Sequence, residues 1–266
     1  MIDRVRDPQP RASAVRDRAG IPTARRIVVK VGSSSISGAN AGQVAPLVDA
    51  LAAAHARGSD VVLVSSGAIA TGMPYLKLDS RPTDLATQQA AAAVGQNLLI
   101  YRYQDSLDRY EIVAGQVLLT AGDLENPVHR SNAQRAMERL LGLRILPIVN
   151  ENDTVATHEI RFGDNDRLAA LVAQLVQADL LLLLSDIDAL YTKPPGTPGA
   201  SAIHHVPFGD RLAGVEFGDA GFTGVGTGGA VTKVAAAHLA AASGTPVLLA
   251  STPQVASALA GDDIGT

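Results

Sequence analysis

Ile27-Val28-Val29-Lys30-Val31, followed at once by Gly32-Ser33-Ser34-Ser35, is a β-branched run that breaks into a small-residue turn. It reads as a buried strand ending at a loop. Val44, Leu47, Val48 and Leu51 then recur at helical spacing, with Gly58 after Arg57 where a C-terminal cap belongs. Val61-Val62-Leu63-Val64 again runs into a small-residue turn, Ser65-Ser66-Gly67-Ala68. The alternation continues: helix from Leu85 to Leu107, strand from Val113 to Leu119, helix from Ala133 to Leu141, strand from Ile145 to Val149. A helix opened by Asp164-Asn165-Asp166 is expected to run through Ala178, followed by a strand from Leu180 to Leu184, a helix from Ala230 to Ala242 and a strand from Val247 to Ala250. Apolar strands alternating with helices predict an α/β fold whose mainly parallel sheet is covered on both faces.

The composition narrows the function. A chain of 266 residues, 47% hydrophobic and 18% charged, has the makings of one large folded unit. With no cysteine, disulfides, thiol catalysis and Cys-ligated zinc are excluded, in keeping with a cytoplasmic protein. A net charge of −4 and 3% aromatics give neither the positive field nor the stacking platforms of a nucleic-acid binder. No apolar run is long enough to span a membrane. The six histidines, His55, His129, His158, His204, His205 and His238, form no pair at metal-ligand spacing. Residues 1–25 hold most of an Arg-rich segment interleaved with Asp and Pro, and are expected to form a mobile extension ahead of a domain spanning residues 26–266.

In parallel α/β sheets, ligands bind beyond the carboxyl ends of the strands. Four polar clusters end expected strands: Lys30 with Gly32 to Ser35, Ser65 to Ala68, Asn150 to Asp153, and Ser185-Asp186. They should line one rim. Lys30 stands where a buried strand residue would be apolar, and burying an unpaired ammonium is costly, so a ligand phosphate is its expected partner. The run Gly224-Val225-Gly226-Thr227-Gly228-Gly229 feeds a helix that carries Lys233 one turn in. Backbone N–H groups, a helix dipole and an ammonium together make a phosphate cradle. The run is neither a dinucleotide fingerprint, because no acidic residue follows about twenty positions on, nor a Walker A sequence, because Ala230 follows Gly229. Each cluster alone also has a bland reading, since Asp164 and Asp166 could serve only as a helix cap and Asn150 to Asp153 only as a turn. Two of only four lysines on one rim with carboxylates favour phosphoryl transfer.

The strings Val29-Lys30-Val31-Gly32-Ser33-Ser34, Val64-Ser65-Ser66-Gly67-Ala68-Ile69-Ala70, Ile148-Val149-Asn150-Glu151-Asn152-Asp153, Phe162-Gly163-Asp164-Asn165-Asp166 and Gly226-Thr227-Gly228-Gly229 stand in an order and spacing that resembles the amino acid kinase family. The resemblance runs over residues 26–266, and its two acidic strings resemble the members that phosphorylate glutamate. It implies a three-layer αβα sandwich and ATP-dependent, Mg2+-assisted phosphorylation of the L-glutamate γ-carboxylate to γ-glutamyl 5-phosphate, the first step of proline biosynthesis. By matching motifs, Lys30 and Lys233 would stabilise the transferring phosphoryl group with Asp166 holding both ammonium groups. Ser66, Asp153 and Asn165 would hold glutamate. Lys30, Ser185, Asp186, Thr227, Gly228, Gly229, Ala230, Val231, Thr232 and Lys233 would line the nucleotide site, and no residue is directly assigned to metal.

The resemblance to members that phosphorylate glutamate implies dimers or tetramers and feedback inhibition by proline, and the C-terminal PUA domain that many such members carry is expected to be absent here. Ala230-Val231 stands where the family usually reads Met-Ser, which alters the nucleotide wall. Two alternatives remain open, a family member acting on another carboxylate, carbamate or phosphate and a non-catalytic nucleotide-binding regulator, while the missing acidic residue argues against a nicotinamide oxidoreductase using the glycine run.

Overall fold

The computed structural model describes residues 15–156, 165–217 and 229–266. In chain order the elements are β1 (Arg26–Val31), α1 (Val44–Ala56), β2 (Asp60–Ser65), α2 (Ala68–Gly72), α3 (Leu85–Leu107), β3 (Ala114–Leu119), α4 (Ala121–Glu125), α5 (Pro127–Gly142) and β4 (Leu146–Glu151). They continue with α6 (Asn165–Leu175), β5 (Leu180–Ser185), β6 (Leu190–Tyr191), β7 (Ala202–Ile203), α7 (Ala230–Ala242), β8 (Val247–Ser251) and α8 (Val255–Ala260).

Six strands form one parallel sheet in the order β3-β4-β2-β1-β5-β8, and β6 and β7 make a small antiparallel pair beside it. The apolar strands β1 and β5 are interior strands, and both of their faces are covered. Ile27, Val29 and Val31 pack with Leu47 and Leu51 of α1, Leu99 and Tyr103 of α3, and Leu259 of α8. Val28 faces the opposite layer with Met137 of α5, Leu168 and Val172 of α6, and Ala236 and Ala240 of α7. The fold is therefore a three-layer αβα sandwich. Among the described residues no helix is long and apolar enough to cross a membrane.

Two features of this architecture place the site. The chain leaves β1 toward β2 on one side and leaves β5 toward β8 on the other, so the crevice beyond the carboxyl ends of β1 and β5 is a topological switch point. The strand period of two then assigns the last residues to layers. Lys30, in step with Val28, points toward the layer of α6 and α7, whereas Ser65 and Asn150, in step with Leu63 and Ile148, point toward α3.

Several boundaries differ from the sequence reading. The helix expected from Ala133 begins at Pro127, because Asn126 caps it by accepting from Val128 N and His129 N and proline fits its first position. The helix expected to reach Ala178 ends at Leu175, with Gln177 left-handed at φ 53°. The sequence reading missed α2, α4 and α8, each too short to show a period. Of the segment expected to be an extension, residues 1–14 lie outside the described residues, whereas the part from Val15 onward is packed. Val15 and Ile21 belong to the core, and the Arg18 guanidinium donates to the carbonyls of Ile264 at 2.7 Å and Gly265 at 2.9 Å.

Candidate active site

Lys30 is the penultimate residue of β1, Asp166 lies in the first turn of α6 and Lys233 in the first turn of α7. The layer assignment brings them to one point. Lys30 Nζ pairs with Oδ1 of Asp166, and Lys233 Nζ lies 3.0 Å from its Oδ2. Asp166 is fully buried, and both ammonium groups are nearly so. Burial pushes the Asp166 carboxyl upward, but the charges of Lys30 and Lys233 and their hydrogen bonds outweigh it and hold the group below the usual carboxylate range. Lys30 thus pairs with a carboxylate rather than waiting for a phosphate alone, and Asp166 does more than face a helix dipole. One carboxylate against two ammonium groups leaves an excess positive charge at the mouth of the switch point, which suits a phosphoryl group.

A Cβ at Gly32 would stand 3.8 Å from Lys30 Nζ, so the turn after β1 passes close to the ammonium. Thr232 Oγ1 donates to Gly229 O at 2.9 Å and reaches Asp166 Oδ2 at 3.4 Å, tying the start of α7 to the centre. Ser185 closes β5, where its hydroxyl donates to the exposed Asp186 at 3.0 Å. Ala230 and Lys233 also border a cavity of about 440 Å3 shared with Leu190, Val206 and Leu212, a volume in the range of small-molecule sites. Val231 is exposed beside them.

The second half of the site hangs on the residue before Asp166. Asn165 Nδ2 donates to Asn150 Oδ1 at 2.8 Å, Ser66 Oγ at 3.0 Å and Ser65 O at 3.1 Å. Consecutive residues of α6 thereby serve opposite sides, with Asp166 on the lysines and Asn165 on the ends of β2 and β4. Gly67 follows with φ 106°, a left-handed turn that releases the chain from β2 into α2 and favours glycine. Behind it, α2 and α3 cross at backbone distance: a Cβ on Gly95 would fall 1.7 Å from Ala68 O, and one on Gly72 2.0 Å from Ala91 O.

Of the residues expected from sequence, Lys30, Asp166, Lys233 and Thr232 converge, Ser66 and Asn165 are hydrogen-bonded to each other, and Ser185, Asp186, Gly229 and Ala230 stand at the ends of neighbouring elements. Asp153 lies in the turn directly after β4. Thr227 and Gly228 lie outside the described residues, as do Phe162 to Asp164. One participant, Gln96, escaped the sequence reading, and Asn150 was expected on the rim without a role of its own. Asn150 is the acceptor that orients Asn165, and Gln96 of α3 accepts from Asn150 Nδ2 at 2.7 Å. For Gln96 the signal is a polar residue at a buried periodic position, since beyond Gln88 at its start the buried face of α3 reads Ala91, Ala92, Gly95, Leu99, Tyr103 and Leu107.

Comparison with known proteins agrees with this geometry. The amino acid kinase family profile matches residues 25–251. The chain is 80% identical over 249 residues to a glutamate 5-kinase of Clavibacter sepedonicus, covering 94% of this chain and 96% of that protein. It is 76% identical to a glutamate 5-kinase of Leifsonia xyli subsp. xyli, covering 94% and 93%, and 57% identical to one of Streptomyces coelicolor, covering 94% and 68%. A carbamate kinase from Giardia lamblia bound to AMP-PNP superposes with a TM-score of 0.67 at 16% identity, over 92% of this chain and 98% of that one, a likeness of fold.

Proposed function

The chain belongs to the amino acid kinase family, and from that membership we propose that it transfers the γ-phosphoryl group of ATP to the γ-carboxylate of L-glutamate, giving γ-glutamyl 5-phosphate and ADP, the opening step of proline biosynthesis. The observation that carries the reading is the pairing of Lys30 and Lys233 on the two oxygens of one buried aspartate at the switch point.

The chemistry asks little of the protein beyond alignment. A γ-carboxylate is already ionised near neutral pH, so no general base is needed. One of its oxygens forms the new bond to phosphorus as the bond from phosphorus to the bridging β-γ oxygen breaks, and the electron pair leaves on ADP. Charge spread over the three phosphoryl oxygens needs stabilising cations that are fixed beforehand. Lys30 and Lys233 supply them, and Asp166 sets their spacing while remaining ionised itself. Ser66, Asn165 and Asp153 hold glutamate on the β2 and β4 side, with Asp153 facing the substrate ammonium. Ser185, Asp186 and the start of α7 from Gly229 through Ala230, Val231 and Thr232 to Lys233 wall the nucleotide, and the family resemblance assigns Thr227 and Gly228 to the same ligand.

Mg2+ fits as a companion of the nucleotide rather than as a ligand of a protein cage. Among the described residues no cluster of three His, Cys, Asp or Glu side chains has the arrangement of a metal site, and both Asp166 oxygens face ammonium groups. A magnesium ion carried by ATP phosphates and water would neutralise phosphate charge. Feedback by proline and assembly into dimers or tetramers belong to the same proposal. Proline titration of the assay and light scattering address them.

Trapping with hydroxylamine tests the reading. Glutamate, ATP and Mg2+ with the protein should yield γ-glutamyl hydroxamate and equimolar ADP, whereas N-acetylglutamate, aspartate and UMP should not be phosphorylated. ADP release without hydroxamate, or turnover of another acceptor alone, rejects it.

A further inference from the structure

We propose that Gln96 is a positioning residue for the acceptor substrate, acting through a relay of side-chain amides, Gln96 to Asn150 to Asn165, that ends on Ser66. The inference rests on the acceptor reading given above. It goes beyond that reading because Gln96 lies on α3, an element from which no residue of the site was expected.

The relay has a defined direction. Asn150 Oδ1 accepts from the backbone N–H of Glu151 at 2.9 Å and from Asn165 Nδ2 at 2.8 Å, so its other terminus is the amide nitrogen. That nitrogen donates to Gln96 Oε1 at 2.7 Å. Gln96 and the Glu151 N–H therefore hold the two ends of the Asn150 amide in the orientation that offers an oxygen to Asn165. Asn165 is in turn held in the orientation that offers its NH2 to Ser66 Oγ and Ser65 O. With Gln96 replaced by an apolar side chain, the Asn150 NH2 loses its acceptor and only the Glu151 N–H is left to hold the amide, so Asn165 has a less firmly fixed partner.

Packing does not account for a glutamine here. Gln96 is 8% exposed and sits on the apolar stripe of α3 between Ala92 and Leu99. Its Nε2 is buried without a hydrogen-bond partner among the described residues. A buried donor left unsatisfied is unfavourable relative to an apolar group of the same shape. The carbonyl end is the useful one, and the unsatisfied NH2 accompanies it. Glycine at the preceding position reinforces the point, because the contact between Gly95 and Ala68 brings α3 against the rim at this turn.

The test is steady-state kinetics of Gln96→Met, which keeps side-chain length and removes both the acceptor and the unsatisfied donor. The expected result is a rise of about tenfold in KM for glutamate, the scale of one lost hydrogen bond, with KM for ATP and kcat within about twofold of wild type and Tm unchanged or higher. The double variant with Asn165→Ala should show no further loss over Asn165→Ala alone, since both act on one relay. Gln96→Leu serves as the second variant where methionine does not pack. An unchanged KM for glutamate, equal rises in both KM values, or additive losses in the double variant would overturn the inference while leaving glutamate phosphorylation standing. A wild-type chain that makes no hydroxamate overturns the functional reading itself, and the inference with it.

Discussion

Lys30 and Lys233 come from opposite halves of the chain and face each other across a single carboxylate, each on its own oxygen of Asp166. Two like charges confined to a buried pocket repel unless an anion lies between them, and the fold supplies that anion from the first turn of α6. The arrangement leaves both ammonium groups fixed before substrate arrives. It also means that the three residues make unequal contributions: the lysines act on the phosphoryl group, and the aspartate acts on the lysines.

Lys233→Ala should lower kcat by about a thousandfold, on the scale of removing one transition-state cation. Asp166 keeps Lys30, so Tm should fall by no more than about 5 °C. Hydroxamate kinetics and a thermal melt on the same sample check both parts, and a near-normal kcat would remove Lys233 from its role.

Asp166→Asn should cost about 3 kcal/mol or more, because it leaves two buried ammonium groups facing a neutral amide. The sign of the pH dependence follows from the direction of the shift. A carboxyl depressed in the folded protein contributes fully above its ordinary value near ~4, and the contribution is lost as pH falls through the depressed value. Denaturant unfolding from neutral to acid pH should show a constant gap between wild type and variant down to about pH 4 and a closing gap below it.

Asn165→Ala should separate the halves of the site. KM for glutamate should rise by at least about tenfold while KM for ATP holds, the reverse of a variant on the α7 side. Substrate titrations at saturating partner concentration read this directly.

Gly95→Ala should destabilise by about 3 kcal/mol, because its Cβ would meet Ala68 O at 1.7 Å and the two helices must part. Since α2 follows directly from Ser66 and Gly67, KM for glutamate should rise with it. A thermal melt paired with kinetics checks the coupling, and a neutral outcome would show that α2 and α3 are free to separate without moving the rim.

Much of this was legible in the sequence because strand and helix periods are local. Helices Leu85–Leu107 and Ala230–Ala242 have the bounds read from spacing, and the polar ends of β1, β2, β4 and β5 fall on one rim as expected. Helix α2 was not legible, since five residues show no period. It exists because Gly72 and Gly95 allow it to lie on α3. Within the site, spacing placed Lys30, Asp166 and Lys233 on one rim, but it carries no information on which oxygen meets which amine. Gln96, and the part Asn150 takes between it and Asn165, were illegible for a related reason. A buried amide looks like an exposed one until tertiary contacts reveal what stands on either side.

The central claim is that both ammonium groups serve one migrating phosphoryl group, and a crystal structure with glutamate, MgADP and a phosphoryl-transfer mimic such as aluminium fluoride tests it most directly. The account predicts Nζ of Lys30 and Nζ of Lys233 each within about 3 Å of the same mimic, with Asp166 still between them. A mimic bound by only one of the two, with the other ammonium held in a separate pocket, would contradict it.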